Sequence, residues 1–312
     1  MQRSGGTWAT VGLAVLAVVA AVLAYSAMQS TKSTTPAPLS SALTTPTDEA
    51  TAVKDPKPGK NITDEIPETL EPPLLMVDAN LAFRGRTGTC LGGANLERTN
   101  NGGAVWRPVE VPASAILDLR STGGGLEVVG ADGRCRLRAW TSTDRGRTWS
   151  NPARVTDAFV RLPSSTRDIA TPSGLVKNPC PDRKVAPLAV ESISATEGAV
   201  LCFGGDVVTT ADSGVTWTAK TPVVGAQALS FEGPLLGWVL VRDGGRCPGY
   251  EAQITQDGGS AWQLGGCLGA EPIADERVLP SVSFSTPQVG MADLAGETYV
   301  TQNGGNIWRL AG

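Results

Sequence analysis

Arginine is the residue type with the clearest chemical potential in this 312-residue chain. Between Arg84 and Arg167 there are thirteen arginines, no lysine and seven acidic residues; from Asp168 onward eight basic residues stand against fifteen acidic ones. A guanidinium offers a rigid fork of donors that matches carboxylate and phosphate oxygens. Arg84, Arg86, Arg134, Arg136, Arg138, Arg145 and Arg147 are therefore the candidate binding residues for an anionic partner, whether an acidic protein, lipid headgroups or a wall polymer. Arg134, Arg136 and Arg138 alternate, so on one strand their side chains would share a face. Catalytic chemistry is poorly supplied. The chain has no His, which removes the usual general base and the commonest metal ligand. It has no C-x-x-C pair either, so zinc is not expected. No cofactor, metal or catalytic set is expected.

The elements that must position these arginines come from a repeat. Thr141-Ser-Thr-Asp144-Arg-Gly146-Arg-Thr148-Trp149 returns as Asn101-x-Gly103-x-x-Trp106, Asp212-x-Gly214-x-x-Trp217, Asp257-x-Gly259-x-x-Trp262 and Asn303-x-Gly305-x-x-Trp308. A short Asx side chain accepts hydrogen bonds from backbone N–H groups a few residues on, and Gly supplies the positive φ of a tight turn. Each copy is read as a strand-to-strand turn, with the Trp ring packing beneath it or against the next unit.

The tryptophans are separated by 43, 68, 45 and 46 residues, a period near 45 with one long interval. Periods of that size with several short strands signal propeller blades. The last unit shows four strands: Ser281–Phe284, 289–292, 297–300 and 307–310. The expectation is an all-β propeller of four-stranded blades over 74–312, with five blades and an insertion near 152–187. A degenerate sixth blade in that stretch is the alternative.

Residues 8–28 form an uncharged run long enough to cross a bilayer, at ~1.5 Å per residue. Residues 1–28 are read as an N-terminal transmembrane anchor, with a cleaved signal sequence and secretion as the alternative. Residues 29–73 are rich in Ser, Thr and Pro and read as a linker. The six cysteines begin only at Cys90, so disulfides in an oxidising compartment are favoured and the propeller is placed on the extracytoplasmic side of a bacterial cell membrane. Six cysteines allow fifteen pairings. Cys247–Cys267 and Cys180–Cys202 would close short loops, which leaves Cys90 and Cys135. A pI near 5.1 and the external location disfavour nucleic acid. A monomer is expected.

The turns, with strands such as Gly237-Trp-Val-Leu240 before them, resemble the Asp-box (BNR-like) β-propellers, both sialidases and the photosystem II assembly and stability factor family. The resemblance implies architecture more than activity, because in these families the box lies at the blade periphery. Sialidases would require three arginines for the substrate carboxylate, a Tyr–Glu nucleophile pair and an Asp. Phe159-Val-Arg161-Leu-Pro163 is faintly similar to their Arg-Ile-Pro motif but follows two boxes instead of preceding the first, and only Tyr250 and Tyr299 could serve as nucleophiles. The favoured reading is a non-enzymatic binding or assembly scaffold; the alternative is a glycan-binding or glycoside-hydrolysing propeller.

Overall fold

Strands alternate with tight turns throughout the computed structural model, which describes residues 71–123, 125–242, 244–269 and 279–312. Among these residues no helix is long and apolar enough to cross a membrane. The expected anchor, 1–28, and the linker up to residue 70 lie outside them.

The strands form six antiparallel sheets, each from one contiguous stretch of chain. The first contains β1 (Leu74–Met76), β2 (Ala82–Arg86), β3 (Asn95–Thr99) and β4 (Arg107–Val109). The second contains β5 (Ala115–Thr122), β6 (Gly125–Ala131) and β7 (Leu137–Ser142), with an Ala139–Ala153 bridge where a fourth strand would lie. The third contains β8 (Val160–Arg161), β9 (Asp168–Thr171) and β10 (Gly174–Lys177). The fourth contains β11 (Pro187–Ser192), β12 (Gly198–Cys202), β13 (Val207–Thr210) and β14 (Thr218–Ala219). The fifth contains β15 (Ala226–Phe231), β16 (Gly237–Arg242), β17 (Tyr250–Thr255) and β18 (Gln263–Leu268). The sixth contains β19 (Ser281–Phe284), β20 (Gly290–Leu294), β21 (Glu297–Thr301) and β22 (Arg309–Leu310). The first strands touch in cyclic order, β1, β5, β8, β11, β15, β19 and back to β1. The fold is a six-bladed β-propeller. Five blades with an insertion is thus corrected: the stretch 152–187 contains the third blade.

That blade escaped the repeat because it has no Asx-x-Gly-x-x-Trp turn and because it is inverted. Phe159 N–H donates to Ser192 Oγ near the end of β11, while Arg161 Nη1 donates to Pro187 O at its beginning. The inner strand β8 therefore runs opposite to its neighbour. The inversion places Phe159 under Gly198, where an added Cβ would meet its ring at 2.7 Å. Phe231 under Gly237 and Phe284 under Gly290 do the same within their own blades. In each case glycine leaves room for an aromatic ring to lie flat against the strand.

The core lies between blades. Inner and second strands are covered on both faces, so they read as continuous apolar runs, such as Gly198–Cys202 and Gly237–Val241. Trp238 stacks on Phe284 at 3.5 Å, and Trp308 meets Phe284 edge-on at 5.9 Å, tying blade five to blade six.

Candidate binding face

Each repeated turn is built from a hydroxyl, an Asx and a glycine. In the fifth blade Thr255 Oγ1 donates to Asp257 Oδ1 at 2.9 Å and accepts the Gly259 N–H at 2.8 Å, while Asp257 Oδ1 accepts the Ala261 N–H at 2.8 Å. Thr99 with Asn101 and Gly103, Ser142 with Asp144 and Gly146, Thr210 with Asp212 and Gly214, and Thr301 with Asn303 and Gly305 repeat it. Hydrogen bonds, foremost from the Thr148 hydroxyl for Asp144, the Thr216 hydroxyl for Asp212 and the Ala261 N–H for Asp257, hold these three carboxyls below the usual carboxylate range. The buried hydroxyl two residues before the Asx was missed as a site residue, although a Ser or Thr stands there in all five copies. Trp106, Trp149 and Trp262 donate to Thr298 Oγ1, Glu110 O and Thr221 O. Trp217 and Trp308 donate to the Gly of their own turns. All five tryptophans therefore serve the scaffold.

Strand direction assigns the remaining candidates to two ends of the ring. In regular blades the inner strand starts at one end, here called the entry end, where the second-to-third-strand turns also lie. The five Asx turns lie at the other end, against the first-to-second-strand turns, as in Gly258 N–H to Leu235 O. Arg145 and Arg147 are at the Asx-turn end, exposed. Arg86, Arg134, Arg136 and Arg138 are at the entry end. Arg134 and Arg136 do not continue β7 as an alternating ladder. They belong to a turn in which Asp132 Oδ1 accepts both of their N–H groups and Cys135 adopts φ 60°. A positive φ at the middle residue is incompatible with a regular strand. Arg136 pairs with Asp132 at 2.7 Å, and Arg138 Nε lies 3.9 Å from the same carboxylate. Arg84 pairs with Glu97 and Asp293 and lies 4.4 Å over the Trp106 ring. The seven arginines therefore do not form one surface; Arg86 and Arg134 are the exposed pair at the entry end.

The six cysteines lie at that same end. Cys90–Cys135 joins the second-to-third-strand turns of blades one and two, Cys180–Cys202 joins the loop before β11 to the turn after β12, and Cys247–Cys267 joins the turn before β17 to the end of β18. Turns that would otherwise sample many conformations are thereby held in fixed relation.

The chain also reaches the ring there. Glu71 N–H donates to Leu188 O, and its carboxylate accepts the N–H groups of Leu229 and Val282, so one residue bonds to blades four, five and six. Glu71, Asp118, Glu191 and Arg161 line an axial cavity of about 60 Å³. Burial, and then the neighbouring Glu191, pushes Glu71 well up. Burial outweighs Arg120 and lifts Asp118 to about 6, while burial and then Asp118 raise Glu191. Burial lowers Arg161 to about 10; its Nη2 donates to Thr166 O, and its Nε has no partner. A cavity of this size holds a few waters and falls well short of the ~300–1,000 Å³ of ordinary ligand pockets. Tyr250 OH donates to Gln227 within blade five, and Tyr299 OH donates to Glu297 on the third strand of blade six. Neither lines this cavity. Among the described residues no group of His, Cys, Asp and Glu could hold a metal.

No protein-family model matches the chain, and no curated protein matches it. Solved structures similar to it include YCF48 from Cyanidioschyzon merolae, 14% identical over 79% of this chain and 87% of that one, with a TM-score of 0.42. A Hadza microbial sialidase is 14% identical over 78% of this chain and 58% of its own, TM-score 0.34. A GH74 xyloglucanase from Xanthomonas campestris is 15% identical over 77% of this chain, TM-score 0.33, and the match spans only 38% of that enzyme's length. The six-bladed fold itself is read from this chain's own strand order and ring closure.

Proposed function

We propose that this protein is a membrane-anchored, extracytoplasmic binding or assembly scaffold that works without catalysis, presenting the entry end of its propeller to an anionic partner. The observation that carries this reading is the gathering of all three disulfides at the end where Glu71 joins the ring and where Arg86 and Arg134 are exposed. Rigid turns lose little freedom on binding, so pre-organised contacts retain more of their free energy. Disulfides also fit an external compartment. The test is retention of partners from membranes at low salt by the full chain. Arg86→Glu with Arg134→Glu should abolish retention that Arg145→Glu with Arg147→Glu, at the opposite end, leaves intact. Equal retention by both variants defeats the assignment of the face.

A glycan-active propeller is favoured by one observation, a buried arginine beside three carboxyls on the axis. Arg161 is, however, already bonded to two backbone carbonyls, and the cavity around it is small. Cleavage of a fluorogenic sialoside by the full chain, lost in Arg161→Ala, would decide for this reading. Absence of cleavage decides against a sialidase.

A further inference from the structure

Three large apolar side chains stand exposed at the entry end: Leu91 at 79%, Phe203 at 50% and Val224 at 82%. Single exposed apolar residues need no explanation, but the fold holds these three in place. Leu91 follows Cys90, whose disulfide fixes its turn beside the turn of Arg134. Phe203 follows Cys202, which is bonded to Cys180. Val223 N–H donates to Gly205 O at 2.8 Å, and a Cβ on Gly205 would lie 2.0 Å from Val223 O. Only glycine permits that approach, and it keeps the Phe203 turn against the Val223–Val224 segment.

Blades one and four are three places apart in a ring of six, hence opposite each other. Leu91 and the Phe203–Val224 pair therefore stand at opposite sides of the disc, at one end of its axis. Two separated apolar points with exposed arginines beside them suit a broad planar surface better than a pocket or a single peptide. Arg86 and Arg134 lie by Leu91, and Arg167 and Lys184 are exposed at the same end. Asp182 and Asp206 also lie there and moderate the charge, so apolar insertion must supply part of the attraction.

We propose that the entry end docks flat on an anionic lipid surface, with Leu91, Phe203 and Val224 entering the headgroup layer and Arg86 and Arg134 bound to lipid phosphates. This rests on the anchored-scaffold reading and names its anionic partner. The chain joins the ring at Glu71 on this same end, so the N-terminal segment leaves the ring from the face proposed to dock.

Amide hydrogen exchange tests it on the full chain, mixed with protein-free vesicles of phosphatidylcholine alone or with about a third phosphatidylglycerol. Exchange in the turns around Leu91, Phe203 and Val224 should slow several-fold in the anionic vesicles, with the Ser194–Glu197 turn at the opposite end unchanged. The combined Leu91→Asp, Phe203→Asp and Val224→Asp variant should lose the slowing. These side chains are exposed, and an unaltered thermal transition shows that the variant is folded; Arg86→Glu with Arg134→Glu, also at exposed sites, should reduce the slowing and supplies an independent check. A chain that partitions into vesicles but shows equal exchange at both ends keeps its anchor and overturns the docking. A chain that stays in solution overturns the anchored reading and the docking with it. Slowing that appears only when membrane proteins are added shows an acidic protein partner and overturns the lipid assignment.

Discussion

Arg84 Nη1 lies 2.5 Å from Asp293 Oδ2, which joins the second strand of the first blade to the second strand of the last. No blade is shared between the two ends of the propeller, so the seam is closed by side chains. Arg84 also pairs with Glu97 and covers Trp106, Trp106 reaches Thr298 on blade six, and Met76 N–H donates to Ser283 Oγ. The Arg84 and Asp293 side chains are 20% and 16% exposed. Asp293→Asn and Arg84→Met should each cost about 1–3 kcal/mol in urea unfolding, with a clearly non-additive double variant. Additive effects would mean that the seam does not depend on this pair.

The hydroxyl of the repeated turn should matter as much as its Asx. Thr255→Val keeps the shape of a fully buried side chain but leaves the Gly259 N–H without its partner and removes one of the two hydrogen bonds to Asp257 Oδ1. A loss of about 1–3 kcal/mol is expected, and Thr255→Ser should recover most of it. Equal stability of the valine and serine variants would show that the hydroxyl is dispensable.

Stability should pass through a maximum on the acid side of neutrality. Glu71, Asp118 and Glu191 bind protons more tightly folded than unfolded, so the fold gains stability as pH falls through their raised values. For Asp118 the gain runs from about 6 down towards its ordinary 3.8. That shift corresponds to a few kcal/mol at most. Asp144, Asp212 and Asp257 have the opposite sign: their contribution is present above the ordinary carboxylate value and is lost below it. Melting temperature should therefore rise from neutral pH towards mildly acid pH and then fall. Asp118→Asn should flatten the rising limb. A steady fall from neutral pH downwards contradicts the burial of these carboxyls.

The Cys180–Cys202 bond closes a separation of 22 residues and fixes the inverted blade to blade four. Replacing both cysteines with alanine should lower stability by about 2–4 kcal/mol. It should also speed amide exchange from Lys177 to Ala186 before it affects blade six. Loss confined to a region away from this loop would show that the bond does not anchor blade three.

Sequence alone carried the turns and the outer blades because their physics is local. A Ser or Thr, an Asx and a Gly within five residues close one turn wherever it occurs, and alternating or continuous apolar runs mark the strands beside it. The expected strands at Ser281–Phe284 and 297–300 match β19 (Ser281–Phe284) and β21 (Glu297–Thr301) within one residue. Tertiary structure decided what depends on residues far apart in the chain. The third blade lacks the local signal, and its reversal brings Phe159 against Gly198, 39 residues away. The arginines looked like one group because they are close in sequence. Strand reversal sends Arg145 and Arg147 to one end and Arg86 and Arg134 to the other, and ring closure commits Arg84 to Asp293, 209 residues on. A turn is specified by its own few residues, whereas the closing of a ring and the face a side chain joins are properties of contacts that exist only once the chain has folded.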